Sequence, residues 1–395
     1  MTGTTFGRSA ASRRVSSFQE TVFATYSRLA SETGAVDLGQ GFPDFEPPEF
    51  VTEALAATAA GYQQYPPLPG WPALLEAVAD ELAPGLGRQL DPVGNLLVTV
   101  GATEGLFAAM QAFIDPGDEV ILIEPFYDAY PADVTMAGGV PRYVPLEPQE
   151  DGSWLLDPER LADAFNQRTK MIVLNSPHNP TGKVFREEEL DLVVELAQRH
   201  DALILADQVY EHISFRPFVP AAERPGAWER TVSLSSFGKS FSVTGWKIGW
   251  ACGPADLIAP LRSAHQWIPF TVATPLQIAA ASALRQAAAG DYYRELASSY
   301  RHRRDLLLAA LEPTPFRPMR PEGGYFVVAN SSALGYEDDV ALCRDLPRRA
   351  GVSAIPPSAF YSAEHRHLAR NLVRFAFCKR DDAIREAGNR LRRLG

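Results

Sequence analysis

Lysine is nearly absent from this chain. Of 37 lysine and arginine side chains, only Lys170, Lys183, Lys239, Lys247 and Lys379 are lysine. Either cation serves on a solvated face, so a position that keeps lysine here is a candidate for an amine that must lose its proton. Cysteine is scarce too. Cys252, Cys343 and Cys378 are odd in number and lack CxxC spacing, which argues against a disulfide framework or a structural zinc site. No apolar run approaches the ~20 residues that span a bilayer. Basic charge is in deficit, with a formal net charge of −11, so nucleic acid is not the expected main partner. The N-terminal stretch MTGTTFGRSAASRRVSSF has no apolar core and does not read as a secretory signal. Together with three thiols of the reduced, buried kind, this makes a cytoplasmic location the expectation.

What is present is a regular alternation of short apolar runs and amphipathic stretches between about residues 50 and 290, the βαβ pattern of a mostly parallel sheet covered on both faces. The runs Leu96–Val100, Glu119–Ile123, Met171–Leu174, Ala202–Ala206, Val232–Leu234 and Ile248–Cys252 are expected to be buried strands. Helical patterns lie between them at Glu104–Phe113 and Glu187–Gln198, the second opening on acidic residues that suit a helix N-terminus. From Tyr292 a long helical pattern leads to two further strand-like runs, EGGYFVVA and LVRFAFC. The expected organisation is an N-terminal arm over 1–48, a large α/β domain over 49–290 and a smaller α+β domain over 291–395, which the arm partly joins.

Open α/β sheets bind ligands beyond the carboxyl ends of their strands. Gly101 to Thr103, Asn175 and Asn179, Asp207 and Tyr210, and Ser236 and Lys239 all follow such ends, so they are expected along one edge. Individually each has a bland reading: Asp207 as a helix cap, NSPHNPTG as a tight turn, VGATEG as an ordinary helix start and Lys239 as a surface lysine. His178 is read as a turn residue, and Arg186 to Glu189 as a solvated first helical turn.

In order and spacing, however, NSPHNPTGKVF, ADQVYEHISF, SLSSFGKSFSVTGWKIGW and NLVRFAFCKRDD resemble the class I/II aminotransferases of the pyridoxal-phosphate fold-type I superfamily. LGQGFPDFEPP, QQYPPLPGWPALLEAVA, LLVTVGATEGL and DEVILIEPFYDAY extend the resemblance over most of the chain. It is strongest toward the kynurenine, glutamine and methionine aminotransferases, with bacterial N-succinyldiaminopimelate aminotransferase also similar. The resemblance implies that Lys239 forms the Schiff base with the cofactor aldehyde and then serves as general acid/base. It implies that Asp207 pairs with the ring nitrogen, that Asn179 and Tyr210 hydrogen-bond the ring oxygen, and that Tyr127 stacks on the ring. The phosphate would lie on the backbone of Gly101, Ala102 and Thr103, with Ser236, Lys247 and, from a neighbouring subunit, Tyr65. A homodimer with shared active sites follows from the resemblance.

For substrate, the resemblance implies that Arg374 grips the α-carboxylate and that Gly41 offers backbone to it. Asn179 would also touch substrate, with Phe23, Phe42, Trp267 and Phe270 as candidates for an apolar side-chain pocket. Kynurenine-type relatives often carry a Phe-His pair shortly before a Pro-x-Gln, whereas this chain has Val272-Ala273 there, a departure that bears on kynurenine itself. The expected activity is transfer of an amino group from a neutral, aromatic or sulfur-containing amino acid to a 2-oxo acid. Three alternatives stay open: an N-succinyldiaminopimelate aminotransferase, a cysteine-conjugate β-lyase sharing every anchor, and, from a different class, an aminotransferase-like transcriptional regulator, against which the lack of a helix-turn-helix pattern counts.

Overall fold

A computed structural model describes residues 11–16, 18, 20–58 and 60–394. In chain order its strands are β1 (Val36–Asp37), β2 (Leu96–Val100), β3 (Glu119–Glu124), β4 (Val140–Pro148), β5 (Trp154–Leu156), β6 (Thr169–Asn175), β7 (Leu203–Asp207), β8 (Thr231–Ser236), β9 (Ile248–Cys252), β10 (Arg317–Pro318), β11 (Phe326–Asn330), β12 (Val352–Ser353) and β13 (Leu372–Ala376). Eight of them form one sheet in the order β2-β9-β8-β7-β6-β3-β4-β5. The run from β8 to β4 is parallel, β9 is antiparallel to both neighbours, and β5 closes the far edge antiparallel to β4.

The apolar runs are continuous because both sheet faces are covered. On β6, Met171 and Val173 pack into one core while Ile172 and Leu174 pack into another, and β3 divides the same way, with Val120 and Leu122 opposite Ile121 and Ile123. The helix Gly101–Phe113 covers the first face and Glu187–Arg199 the second. The strands β4 and β5 were not among the sequence expectations; β4 is exposed or half-buried over its first four residues, so it lacks the uniform apolar signal of the central strands.

The remaining strands build the smaller layer. β11 lies between β10 and β13, antiparallel to both, and β1 pairs with β12 in parallel, tying the N-terminal stretch to the C-terminal portion. Leu38 to Phe42 then run beside β13: Ala376 N–H donates to Leu38 O at 2.6 Å, and the side chains of Arg374 and Lys379 donate to Gly39 O and Phe42 O. Among the described residues no helix is long and apolar enough to cross a membrane.

Candidate active site

The carboxyl ends of β6, β7 and β8 deliver Asn175, Asp207 and Ser236 to one edge. The reversal of β9 adds to them. Because it pairs antiparallel with β2 and β8, its first residue, Ile248, stands opposite Val100, and Lys247 arrives beside Gly101. A cavity of about 240 Å³ opens here, lined by Gly101, Ala102, Thr103, Tyr127, Asn179, Asp207, Tyr210, Ser236, Lys239 and Lys247, with Phe23, Gly41 and Phe326 on its far side. Ten sequence-expected residues of five separate motifs thus meet in one space.

Lys239 sits in a single helical turn, Phe237–Ser240. Phe237 and Phe241 are fully buried and stacked 4.2 Å apart, which fixes the turn to the core and leaves Lys239 facing the cavity. Its Nζ donates to the Tyr325 hydroxyl at 2.8 Å. Burial pulls its pKa down to about 8, with Lys247 and Arg374 adding to the effect against opposing negative groups that include Asp207. A lysine so placed holds a substantial neutral fraction near physiological pH, as a nucleophilic amine must.

Asp207 is buried at the end of β7. Its Oδ2 accepts from the Tyr130 hydroxyl at 2.6 Å and its Oδ1 from Val209 N–H at 3.3 Å. Burial raises its pKa, and the hydrogen bond from Tyr130 works against that rise. Asn175 braces the same corner, donating to Asp207 O at 2.9 Å and accepting from Asn179 N–H at 2.7 Å. Tyr127 stands edge-on to Tyr130, 5.6 Å between ring centroids.

At the opposite end lies the N-terminus of Gly101–Phe113. Gly101 has φ of 66°, the left-handed conformation that favours glycine, and this turn aims the first-turn N–H groups of Ala102 and Thr103 at the cavity without intrahelical acceptors. Lys247 Nζ is 3.4 Å from Thr103 Oγ1. Backbone donors, two hydroxyls and an ammonium make a fitting cradle for a dianionic phosphate, and the buried carboxylate of Asp207 suits a protonated ring nitrogen. The residues present therefore fit pyridoxal phosphate, and among the described residues no cluster could hold a metal ion.

Arg374 lies in mid-strand on β13 and is fully buried. Its guanidinium is held among the rings of Phe326, Phe360 and Phe23, at 4.1, 5.1 and 5.2 Å. Nη2 donates to Gly39 O at 2.7 Å and Nη1 to Asn179 Oδ1 at 3.4 Å, while Nε has no partner. Among the described residues no carboxylate lies within ion-pair distance of it; the charge of Asp128 acts from further off. A buried cation with only neutral partners is costly, and a ligand carboxylate would relieve it.

Not every expected residue lines the cavity. Phe42 turns outward, 48% exposed, with its ring under Lys379, because the chain swings away after Gly41. Trp267 and Phe270 are 83% and 49% exposed, and Tyr65 is 79% exposed with its ring 5.2 Å from that of Phe270. All four lie outside the cavity of their own chain. His178 is a turn residue as expected: it is buried, its Nδ1 is 2.8 Å from Thr181 Oγ1, and burial lowers its pKa to about 3. Sequence reasoning missed Tyr130 and Tyr325. Both had a signal, a tyrosine in a quoted motif (EPFYDAY and EGGYFVVA), but the helix and strand that carry them had to be placed before either could be aimed.

Residues 33–391 match the family described as aminotransferase class I and II. Kynurenine–oxoglutarate transaminase of Dictyostelium discoideum is 40% identical, covering 97% of this chain and 96% of its own. The solved structure of N-succinyldiaminopimelate aminotransferase from Mycobacterium tuberculosis is 44% identical and superposes with a TM-score of 0.93 over 98% of this chain and all of the other. YbdL of Escherichia coli, whose structure is reported with a methionine aminotransferase function, is 36% identical with a TM-score of 0.92 over 97% of this chain and 99% of its own.

Proposed function

Because the chain belongs to the class I and II aminotransferases, enzymes that use pyridoxal phosphate to pass an amino group between amino acids and 2-oxo acids, we propose that its preferred donor is neutral. The donor class is aromatic, sulfur-containing or amide: kynurenine-, methionine- or glutamine-like. When bound, the cofactor supplies an aldehyde for covalent linkage and a ring that takes up the electrons of the broken α-C–H bond.

The rest falls to the protein. Lys239 provides the neutral amine for the link, and once released from it carries the proton taken from the substrate α-carbon. Asp207, oriented by Tyr130, would pair with the cofactor's ring nitrogen and favour its protonated form. Asn179 and Tyr210 would hydrogen-bond the ring oxygen, and Tyr127 would pack against the ring. Ala102, Thr103, Ser236 and Lys247 hold the phosphate, with Tyr65 reaching across a homodimer interface. Arg374 takes the α-carboxylate through its guanidinium N–H groups, and Gly41 lies beside it.

The observation that carries the donor assignment is the charge of the lining. Its cations are Lys239 and Lys247, both engaged, with Arg374 bonded to Asn179, so among the described lining residues a distal carboxylate finds no free cation, whereas Phe23 and Phe326 offer apolar surface. The 44% identity to the mycobacterial enzyme favours a second reading, N-succinyldiaminopimelate as donor. Half-reactions with a panel of amino acids, followed by loss of the cofactor's aldehyde-form absorbance, separate the two. Neutral donors are expected to react at least about tenfold faster than acidic ones, a difference of roughly 1.4 kcal/mol in barrier; faster reaction of N-succinyldiaminopimelate would overturn the assignment. Release of pyruvate and ammonia from a cysteine conjugate without a 2-oxo acid would identify the lyase.

A further inference from the structure

Tyr325 precedes β11, is fully buried and is assigned no part above, yet its hydroxyl touches the reacting amine. Beside a hydrogen bond shared with the Tyr210 hydroxyl, two contacts define what the Tyr325 hydroxyl does. It lies 2.5 Å from Gly41 O and 2.8 Å from Lys239 Nζ. A carbonyl oxygen only accepts, so the single phenolic proton is committed to Gly41. Toward Lys239 the same oxygen therefore presents a lone pair. The ring is fixed by Tyr300, stacked at 6.0 Å, and by Tyr210 and Phe326, edge-on at 4.9 and 4.8 Å, so the oxygen cannot swing away.

The Gly41 contact is built with equal care. A β-carbon at position 41 would meet Phe326 Cζ at 2.7 Å, so glycine is required for the backbone to pass over that ring and present its carbonyl to Tyr325. Gly39, two residues earlier, gives its carbonyl to Arg374. Leu38 to Phe42 thus touch both the guanidinium and, through one hydroxyl, the amine.

Resting on the reading of Lys239 given above, we infer that Tyr325 is a catalytic residue of the transamination, the fixed acceptor that aims the released Lys239 amine at the substrate α-carbon. A neutral amine that gives one N–H to a fixed oxygen has its lone pair confined to the remaining directions, and the cavity lies there. When the α-C–H bond breaks, its proton goes to that lone pair and its electrons stay with the substrate and cofactor. The resulting ammonium then donates a charge-assisted hydrogen bond to Tyr325, stronger than the neutral one it replaces. Because the hydroxyl proton is pinned by Gly41, the tyrosine neither gains nor loses a proton.

Tyr325→Phe keeps the ring packing and removes the acceptor, so the variant should fold with a nearly unchanged Tm. Two effects of opposite sense are expected. In the cofactor-free protein, trace acetylation of Lys239 across a pH series should show a titration midpoint about one pH unit lower, since the charged form has lost a hydrogen bond. In the loaded enzyme, kcat should fall about tenfold or more with little change in KM, and the rate difference between α-protonated and α-deuterated substrate should grow. An amine that titrates lower while transferring the proton more slowly is not the signature of a merely loosened fold. An unchanged midpoint with an unchanged isotope effect would overturn the inference. Added pyridoxal phosphate should protect Lys239 of the wild type from acetylation; failure of that control would strike instead at the assignment of Lys239.

Discussion

At the scale of single residues, two side chains hold charges in surroundings that oppose them. Lys239 is a lysine whose pKa burial brings down to about 8. Below that value the ammonium dominates and cannot attack an aldehyde, so the rate of cofactor attachment to the apo protein should rise about tenfold per pH unit up to pH 8 and level off above it. A stopped-flow pH series measures this, and a rate that falls as pH rises would contradict it. Arg374 presents a buried guanidinium with one unpartnered nitrogen. Arg374→Ala should retain cofactor absorbance while KM for every α-amino acid rises by roughly 10- to 100-fold, the worth of a charge-assisted hydrogen-bond pair. Steady-state kinetics across several donors checks that the rise is uniform. Lys239 and Arg374 were legible in the sequence because each sits in a motif of fixed order. Tyr130 and Tyr325 were not, since an aromatic residue inside an apolar stretch reads as packing until its hydroxyl is seen to reach Asp207 or Lys239.

At the scale of elements, the six central strands were legible, and Leu96–Val100 and Ile248–Cys252 match the structure residue for residue. Strands buried on both faces are apolar throughout, which is a strong signal. The strand Val140–Pro148 has an alternating, largely exposed start and three prolines, so its role at the sheet margin was hidden. Direction was hidden as well. Nothing in the composition of Ile248–Cys252 says that it runs opposite to its neighbours, although that reversal is what carries Lys247 to Gly101.

One helix stores a buried charge with no evident task in the reaction. Asp133, in Ala129–Ala137, is 8% exposed, its Oδ2 has no partner, and burial, aided by Asp128, lifts its pKa to about 7. A folded-state pKa above the unfolded one means that the native form binds the proton more tightly, so this group's contribution to stability is full below pH 4 and is lost as pH rises through 7. Asp133→Asn should therefore be close to neutral at low pH and stabilise the protein by roughly 1–3 kcal/mol at pH 8. Urea unfolding at the two pH values measures it; greater stabilisation at low pH would contradict the sign.

At the scale of the whole molecule, the site draws on residues from Phe23 to Arg374, so the N-terminal stretch, the large sheet and the C-terminal layer must all be assembled before chemistry is possible. Tyr65, Trp267 and Phe270 stand exposed on the single chain. A homodimer that buries them and shares its sites should sediment at twice the chain mass of 43.2 kDa. Trp267→Glu should then shift the protein toward monomer and weaken cofactor retention, because a charge in the centre of an apolar interface is strongly unfavourable.

The proposed chemistry turns on one covalent attachment. Holoenzyme reduced with borohydride, digested and mapped by mass spectrometry should carry the cofactor on the peptide containing Lys239 and on no other; a label on Lys247 or any other lysine, or none at all, would contradict it.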